Sequence, residues 1–135
     1  MKINNTGSKI VQKPWGKEIW LALNSKYCYK RIYINAGTRT SFQYHKEKLE
    51  TNYVISGEAE VWLENDNGVI EKKKMKADDF FTVVPPKKHR VIAITNVVLQ
   101  EVSTPQVDDV VRIEDDAGRT DGRIEKEHAI WLKNI

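Results

Sequence analysis

The chain has 135 residues, 40% hydrophobic and 30% charged, with a formal net charge of +3. That length closes one core and hardly two, so a single domain over residues 1–135 is expected, and the composition is that of a folded protein and not of a disordered tract. The one basic run, Lys72, Lys73, Lys74 and Lys76, is flanked by Glu71 and Asp78 and argues against a nucleic-acid surface, and no run of eighteen apolar residues is present to span a membrane.

In chain order, the polar start over residues 1–9 lacks the apolar stretch of a signal peptide, and the lone Cys28 has no internal partner. Both features point to a reducing compartment, the cytoplasm. Trp15, Ile19 and Trp20 read as an apolar cover for a second copy, which makes a homodimer the expected assembly. Residues 27–34 mix aromatic and β-branched side chains and stop at Asn35-Ala36-Gly37, a strand and its turn. Residues 50–56 and 58–64 are two more strands meeting at Gly57. Asn65-Asp66-Asn67-Gly68 closes a hairpin, because these residues tolerate positive φ. Strands at 80–84, 90–94 and 97–102 follow, separated by Pro85-Pro86 and Thr95-Asn96. Only residues 125–132 have spacing that suits a short helix. So many short strands predict an all-β sandwich or closed barrel.

The chemistry-bearing residues sit between Gly37 and Gly57. Side chains alternate along a strand, so Gln43 and His45 project to one face, about 7 Å apart at roughly 3.3 Å per residue. Glu50 opens the next strand after a turn at 46–49, and an antiparallel neighbour brings its carboxylate back toward that face. His89, delivered by the turn after Pro85-Pro86, is the candidate fourth member. An amide, two imidazoles and a carboxylate suit one divalent cation, with zinc, iron, manganese, nickel and cobalt all compatible.

The spacing Gly37, Gln43, His45, Glu50, Gly57 resembles the first motif of the cupins, whose fold is a double-stranded β-helix or jelly-roll barrel. Gln43, where a second histidine is common, is similar to the metal set of phosphomannose isomerases, which implies zinc ahead of the other ions. Lys13-Pro14-Trp15-Gly16, residues 29–44 and the run DDVVRIEDDAGR at 108–119 resemble the C-terminal cupin domain of type II mannose-6-phosphate isomerases. The resemblance spans roughly residues 11–120, the expected barrel core. It departs from the family's second motif at Ala77-Asp78-Asp79 and Lys87-Lys88, where glycines are usual, and at Ala93 in place of asparagine. The nucleotidyltransferase domain of bifunctional relatives has no room here, so no pyrophosphorylase activity is expected.

What the resemblance implies is interconversion of mannose 6-phosphate and fructose 6-phosphate, with a phosphosugar as ligand. Such a site needs cations for the phosphate and a group to move a proton. Arg39 shares strand parity with Gln43 and His45 and is expected to face the same lumen. Arg119, Lys88 and Arg90 are further anion contacts, with Arg119 weighed against an ion pair with Asp115 or Asp116. Glu47 and Lys48, in the turn between ligands, are the catalytic candidates at the metal mouth. A cupin of other chemistry, such as a dioxygenase or a sugar-nucleotide enzyme, and a non-catalytic sugar-binding barrel are the alternatives.

Overall fold

The computed structural model describes residues 9–128 and the backbone of residues 130 and 131. Twelve strands run through the described residues: β1 Lys9–Lys13, β2 Gly16–Leu23, β3 Cys28–Ile34, β4 Phe42–Tyr44, β5 Glu50–Ser56, β6 Glu58–Glu64, β7 Ile70–Lys76, β8 Phe80–Val83, β9 His89–Ala93, β10 Val97–Ser103, β11 Val111–Glu114 and β12 Ile130–Trp131. They form a seven-stranded sheet, β12-β1-β2-β3-β10-β5-β8, and a five-stranded sheet, β11-β4-β9-β6-β7. Every strand pair within the two sheets is antiparallel. Facing sheets of this kind bury alternate residues of each strand between them.

The six strands whose ranges are read from the sequence lie within a residue or two of β3, β5, β6, β8, β9 and β10. The 65–68 turn closes the β6–β7 hairpin as expected, with Asn65 Oδ1 accepting from the backbone of Asn67 and Val69. The short C-terminal helix is a single 3-10 turn, Glu125–His128, after which the backbone joins β1 as β12. Residues 129 and 132 of the expected 125–132 helix lie outside the described residues.

Two places set the corners. Gly57 has φ of 87°, and a Cβ there would stand 2.1 Å from the Asn96 carbonyl oxygen, so the β5–β6 corner admits only glycine without a backbone shift. Asp78, where the family pattern leads one to expect glycine, takes φ of 77° itself. Its neighbour Asp79 accepts from the Lys76 backbone N–H, which closes that turn.

The interior divides by polarity. One part is apolar: Trp15, Ile32, Ile34, Val54, Ala59, Val61, Phe81, Val83, Val91, Ala93, Val97 and Leu99 pack as one buried cluster. In the other part inward positions of the same strands carry charge. Asn52, Glu101, Lys30, Trp20 and Lys9 are register partners in a row across β5, β10, β3, β2 and β1, and all five are buried. Trp15 and Trp20 are buried in this chain's own barrel, so they do not form the outward apolar cover expected of them, and Ile19 is half-buried. The lysine-rich run forms β7, the edge of the five-stranded sheet, where charge discourages strand addition. None of the helices among the described residues is long and apolar enough to cross a membrane.

Candidate metal centre

His45, Glu50 and His89 converge at the polar part of the interior. One ligand atom from each lies within 4.8 Å of the other two, and all three residues are buried. Glu50 starts β5, His89 starts β9, and His45 follows β4 directly, so three strand ends meet here. β4 and β9 are neighbours whose one register pair is Gln43 with His89.

The hydrogen bonds orient both rings. His45 Nδ1 is 2.6 Å from the Asp109 carbonyl oxygen, and His89 Nδ1 is 3.1 Å from the Lys87 carbonyl oxygen. A carbonyl only accepts, so both Nδ1 atoms carry hydrogen and both rings turn Nε2 inward. His45 Nε2 is 2.7 Å and His89 Nε2 3.7 Å from Glu50 Oε1. Burial pulls His89 down to about 4 against the opposing pull of Glu50, which keeps that ring neutral at pH 7. Burial pushes Glu50 up, but Lys48, His45 and His89 outweigh it and hold the carboxyl well below the usual range. Asn52 Nδ2 donates to the other oxygen, Oε2, at 2.8 Å.

Two imidazole Nε2 atoms and a carboxylate oxygen thus face one another, with His45 Nε2 at hydrogen-bond distance from Glu50 Oε1. The nitrogen-and-oxygen chemistry of this set fits a divalent ion of the borderline class. Gln43 stands beside the set, with its Oε1 accepting from Ser41 Oγ and its Nε2 3.4 Å from His89 Nε2. A half-turn of the amide would present oxygen to the centre.

Around this set lies a cavity of about 100 Å³. Its apolar side is walled by Trp15, Ile32, Ile34, Phe81, Val91 and Leu99. Six basic side chains (Lys13, Lys30, Lys48, Arg112, Arg119, Arg123) line it against four carboxylates (Glu18, Glu50, Glu101, Asp108), which favours an anionic ligand. Lys48 Nζ donates to Glu101 Oε2 at 3.1 Å and stands 3.7 Å from Glu50 Oε1. Lys30 Nζ donates to Glu18 Oε1 at 3.2 Å, and Trp20 Nε1 donates to the same oxygen at 2.9 Å. Burial acts against both lysines, yet Glu101 for Lys48 and Glu18 for Lys30 raise them. Burial and the nearby Glu50 push Glu101 up to about 7, whereas Lys30 and Lys13 overcome burial and take Glu18 to about 2.

The sequence-predicted residues separate into two groups. Gln43, His45, Glu50, His89, Lys48 and Arg119 line the cavity. Arg119 is held there by Asp115 at 2.9 Å and Glu127 at 3.3 Å, and Glu127 also binds Lys13 at 2.9 Å. The rest lie elsewhere. Glu47 is exposed on its turn and only its backbone is engaged. Arg39 precedes β4, so strand parity does not govern it, and it forms a bidentate pair with Asp116 at the surface. Arg90 must face opposite to His89, its strand neighbour. It is buried outside the cavity over the Phe42 and Trp62 rings and donates from Nε to the Thr40 carbonyl. Lys88 is half-buried on the loop before β9 and does not line the cavity.

Sequence reasoning missed Asp109, Glu101, Glu18 and Asn52. Asp109 accepts from the backbone N–H groups of Lys46, Glu47 and Lys48 at 3.0, 2.7 and 3.0 Å, so one side chain shapes the turn between His45 and Glu50. The available signal was parity: Glu18 with Trp20 and Glu101 with Leu99 share an inward face.

A family model described as a cupin domain matches residues 30–103, a stretch holding all four candidate ligands. A putative mannose-1-phosphate guanylyltransferase of Vibrio cholerae is 30% identical over 103 residues, which is 76% of this chain and 22% of that protein. The alginate biosynthesis protein AlgA of Pseudomonas putida is 27% identical over 116 residues, 86% of this chain and 24% of that one. The chain therefore spans about a quarter of the length of these relatives. An RmlC-like cupin from Shewanella frigidimarina superposes with a TM-score of 0.63 at 23% identity, over 78% of this chain and 95% of that one, a likeness of fold.

Proposed function

Because the chain belongs to the cupin family, we propose that it acts as a metal-dependent sugar-phosphate isomerase that interconverts mannose 6-phosphate and fructose 6-phosphate. One observation carries the reading: His45 Nε2, Glu50 Oε1 and His89 Nε2 converge beside a cavity whose cations outnumber its carboxylates. The name of the Vibrio relative attaches a mannose phosphate to that protein, which supports a sugar phosphate here.

In this reading Gln43, His45, Glu50 and His89 hold the ion, zinc first among the candidates. When bound, the ion supplies Lewis-acid polarisation of the substrate oxygens at C1 and C2. Lys48, kept charged by Glu101 and Glu50, donates a hydrogen bond to an oxygen that gains charge as the enediol forms. Glu101, on the same wall and pushed up to about 7, is the carboxylate assigned to carry the proton between C1 and C2, whereas Glu18 is committed to Lys30 and Trp20. The cavity is below the roughly 300–1,000 Å³ of common small-molecule sites, so it suits a small ligand held closely with bulk water excluded.

The test is conversion of mannose 6-phosphate by protein stripped of metal and reloaded in turn with zinc, iron, manganese, nickel and cobalt. Absence of fructose 6-phosphate under every metal rejects the proposal. A second reading, a binding barrel without turnover, is favoured by the pairing of Lys48 with Glu101, because no cavity carboxylate is free of a cation or a hydrogen-bond donor among Glu18, Glu50 and Glu101. It requires a sugar phosphate to raise the melting temperature while no product forms.

A further inference from the structure

The cavity contains a cation that the metal set does not use. Arg112 lies on β11 in register with Gln43 of β4, so it shares a wall with the candidate ligands. Its Nη1 donates to the Gly122 carbonyl at 2.9 Å and to the Thr120 carbonyl, and its Nε is buried without a partner. No described carboxylate comes within 4.0 Å of this guanidinium. The acids close by are engaged elsewhere: Asp121 accepts from the Arg112 backbone N–H at 2.7 Å, while Asp115 and Glu127 are bound by Arg119.

A second unpartnered donor lines the same cavity. His128 is 7% exposed, packs edge-on to Trp20 at 5.2 Å, and its Nδ1 has no hydrogen-bond partner among the described residues. Among the described residues, Arg112 and His128 are the only cavity-lining ones with a buried, unpartnered side-chain nitrogen or oxygen. Arg112 is half-buried with a buried Nε that lacks a partner, and the free edge of its guanidinium suits a tetrahedral oxyanion, which accepts at several oxygens at once. A neutral imidazole adds a donor and can gain charge when a dianion arrives. Burial, Lys9 and Arg123 outweigh the opposing pull of Asp108 and take His128 down to about 4, which keeps it neutral at pH 7.

We propose that Arg112, assisted by His128, forms a seat for the phosphate monoester group of the ligand, on the cavity wall beside the Gln43 strand. Arg112 fixes the phosphate by its open edge, since its other edge is anchored to two carbonyls, and so aims the rest of the molecule along β4 toward His45 and His89. Arg119, tied to Asp115 and Glu127, shapes the wall and does not take the anion. The identity of the remaining ligand as a sugar rests on the isomerase reading, whereas the anion seat does not.

The seat is tested on full-length, metal-stripped protein by calorimetric titration with inorganic phosphate. Saturable one-to-one binding is expected, at least tenfold weaker in Arg112→Gln, intermediate in Arg112→Lys, and unchanged in Arg39→Gln, which alters an arginine outside the cavity. Equal binding by wild type and Arg112→Gln, or an equal loss in Arg39→Gln, overturns the proposal. If Arg112→Gln does not fold, wild-type protein decides: phosphate should slow modification of Arg112 by an arginine-selective dicarbonyl, read by peptide mass spectrometry, and no slowing overturns the seat. Failure of the two readings is separable. Phosphate binding lost in Arg112→Gln without any isomerase turnover ends the isomerase and leaves the seat. Turnover with an unchanged KM in Arg112→Gln ends the seat and leaves the isomerase.

Discussion

Replacing Asp109 by alanine tests whether the candidate ligands are held in place from outside their own strands. The carboxylate accepts three backbone N–H bonds from residues 46–48, and the backbone carbonyl of the same residue orients His45. The donors at Lys46 and Glu47 belong to exposed residues and regain water in the variant, while that at Lys48 belongs to a buried one. Loss of a similar cap at a helix start costs about 0.5–2 kcal/mol, and a partly buried donor left bare adds about 1 kcal/mol, so about 2 kcal/mol of stability should go. For a chain of this size that lowers the melting temperature by roughly 6 °C. The sharper effect should fall on the metal, because a looser turn lets His45 and Glu50 separate. Removal of such outer supports typically weakens a metal site about 10–100-fold. Urea denaturation of the metal-free variant measures the first quantity, and competition with a chromophoric zinc chelator measures the second. Asp109→Asn, which keeps one acceptor oxygen, should fall between. A variant that loses the stability yet holds metal within threefold of wild type would refute the argument.

Other perturbations test the remaining parts. Gly57→Ala combines a positive φ with a contact of 2.1 Å to backbone, and should cost about 2–5 kcal/mol in urea denaturation; a loss below 1 kcal/mol contradicts the corner geometry. Arg90→Met should cost about 1–2 kcal/mol, mostly the Nε bond to the Thr40 carbonyl, and leave metal affinity untouched, because Nη1 and Nη2 have no hydrogen bonds, the Glu114 partner at 3.6 Å is exposed, and a thioether can fill the gap between Phe42 and Trp62. A rise in KM for a phosphosugar in that variant would restore Arg90 to the site. For acid stability, His128 is depressed from 6.5 to about 4, so its contribution is present above pH 6.5 and fades as pH falls toward 4; in a phosphate-free buffer His128→Gln should flatten that limb, and an unchanged limb refutes it. Glu18, depressed from 4.5 to about 2, contributes above pH 4.5 and loses that contribution as pH falls toward 2, a limb that Glu18→Gln should remove.

The candidate ligands were legible because their signals are local. Strand parity joins Gln43 to His45, a four-residue turn brings in Glu50, and a proline turn delivers His89. Parity also contained the answer for Arg90, which cannot face inward when His89 does. Arg39 misled because β4 is only three residues long and Arg39 lies ahead of it. Glu47 and Lys48 share a turn, where no period tells inside from outside, and it is long-range register that draws Lys48 in: Glu101 comes from β10, paired with both β3 and β5. Arg112 and Asp109 belong to a segment whose contacts with β4 and the 46–48 turn span more than sixty positions, for example |i−j| of 63 between Lys46 and Asp109. Pairings at that separation follow from how the sheets close, which a one-dimensional pattern does not carry.

The division of the interior by polarity has a consequence for traffic. Packed hydrocarbon closes one side of the chamber, while residues between 107 and 128 line another part of it, where Glu127 clasps both Lys13 and Arg119. Electrolyte weakens such clasps. Ionic strength would then act as a throttle on exchange, quickening entry and escape even while it loosens the hold on any charged guest.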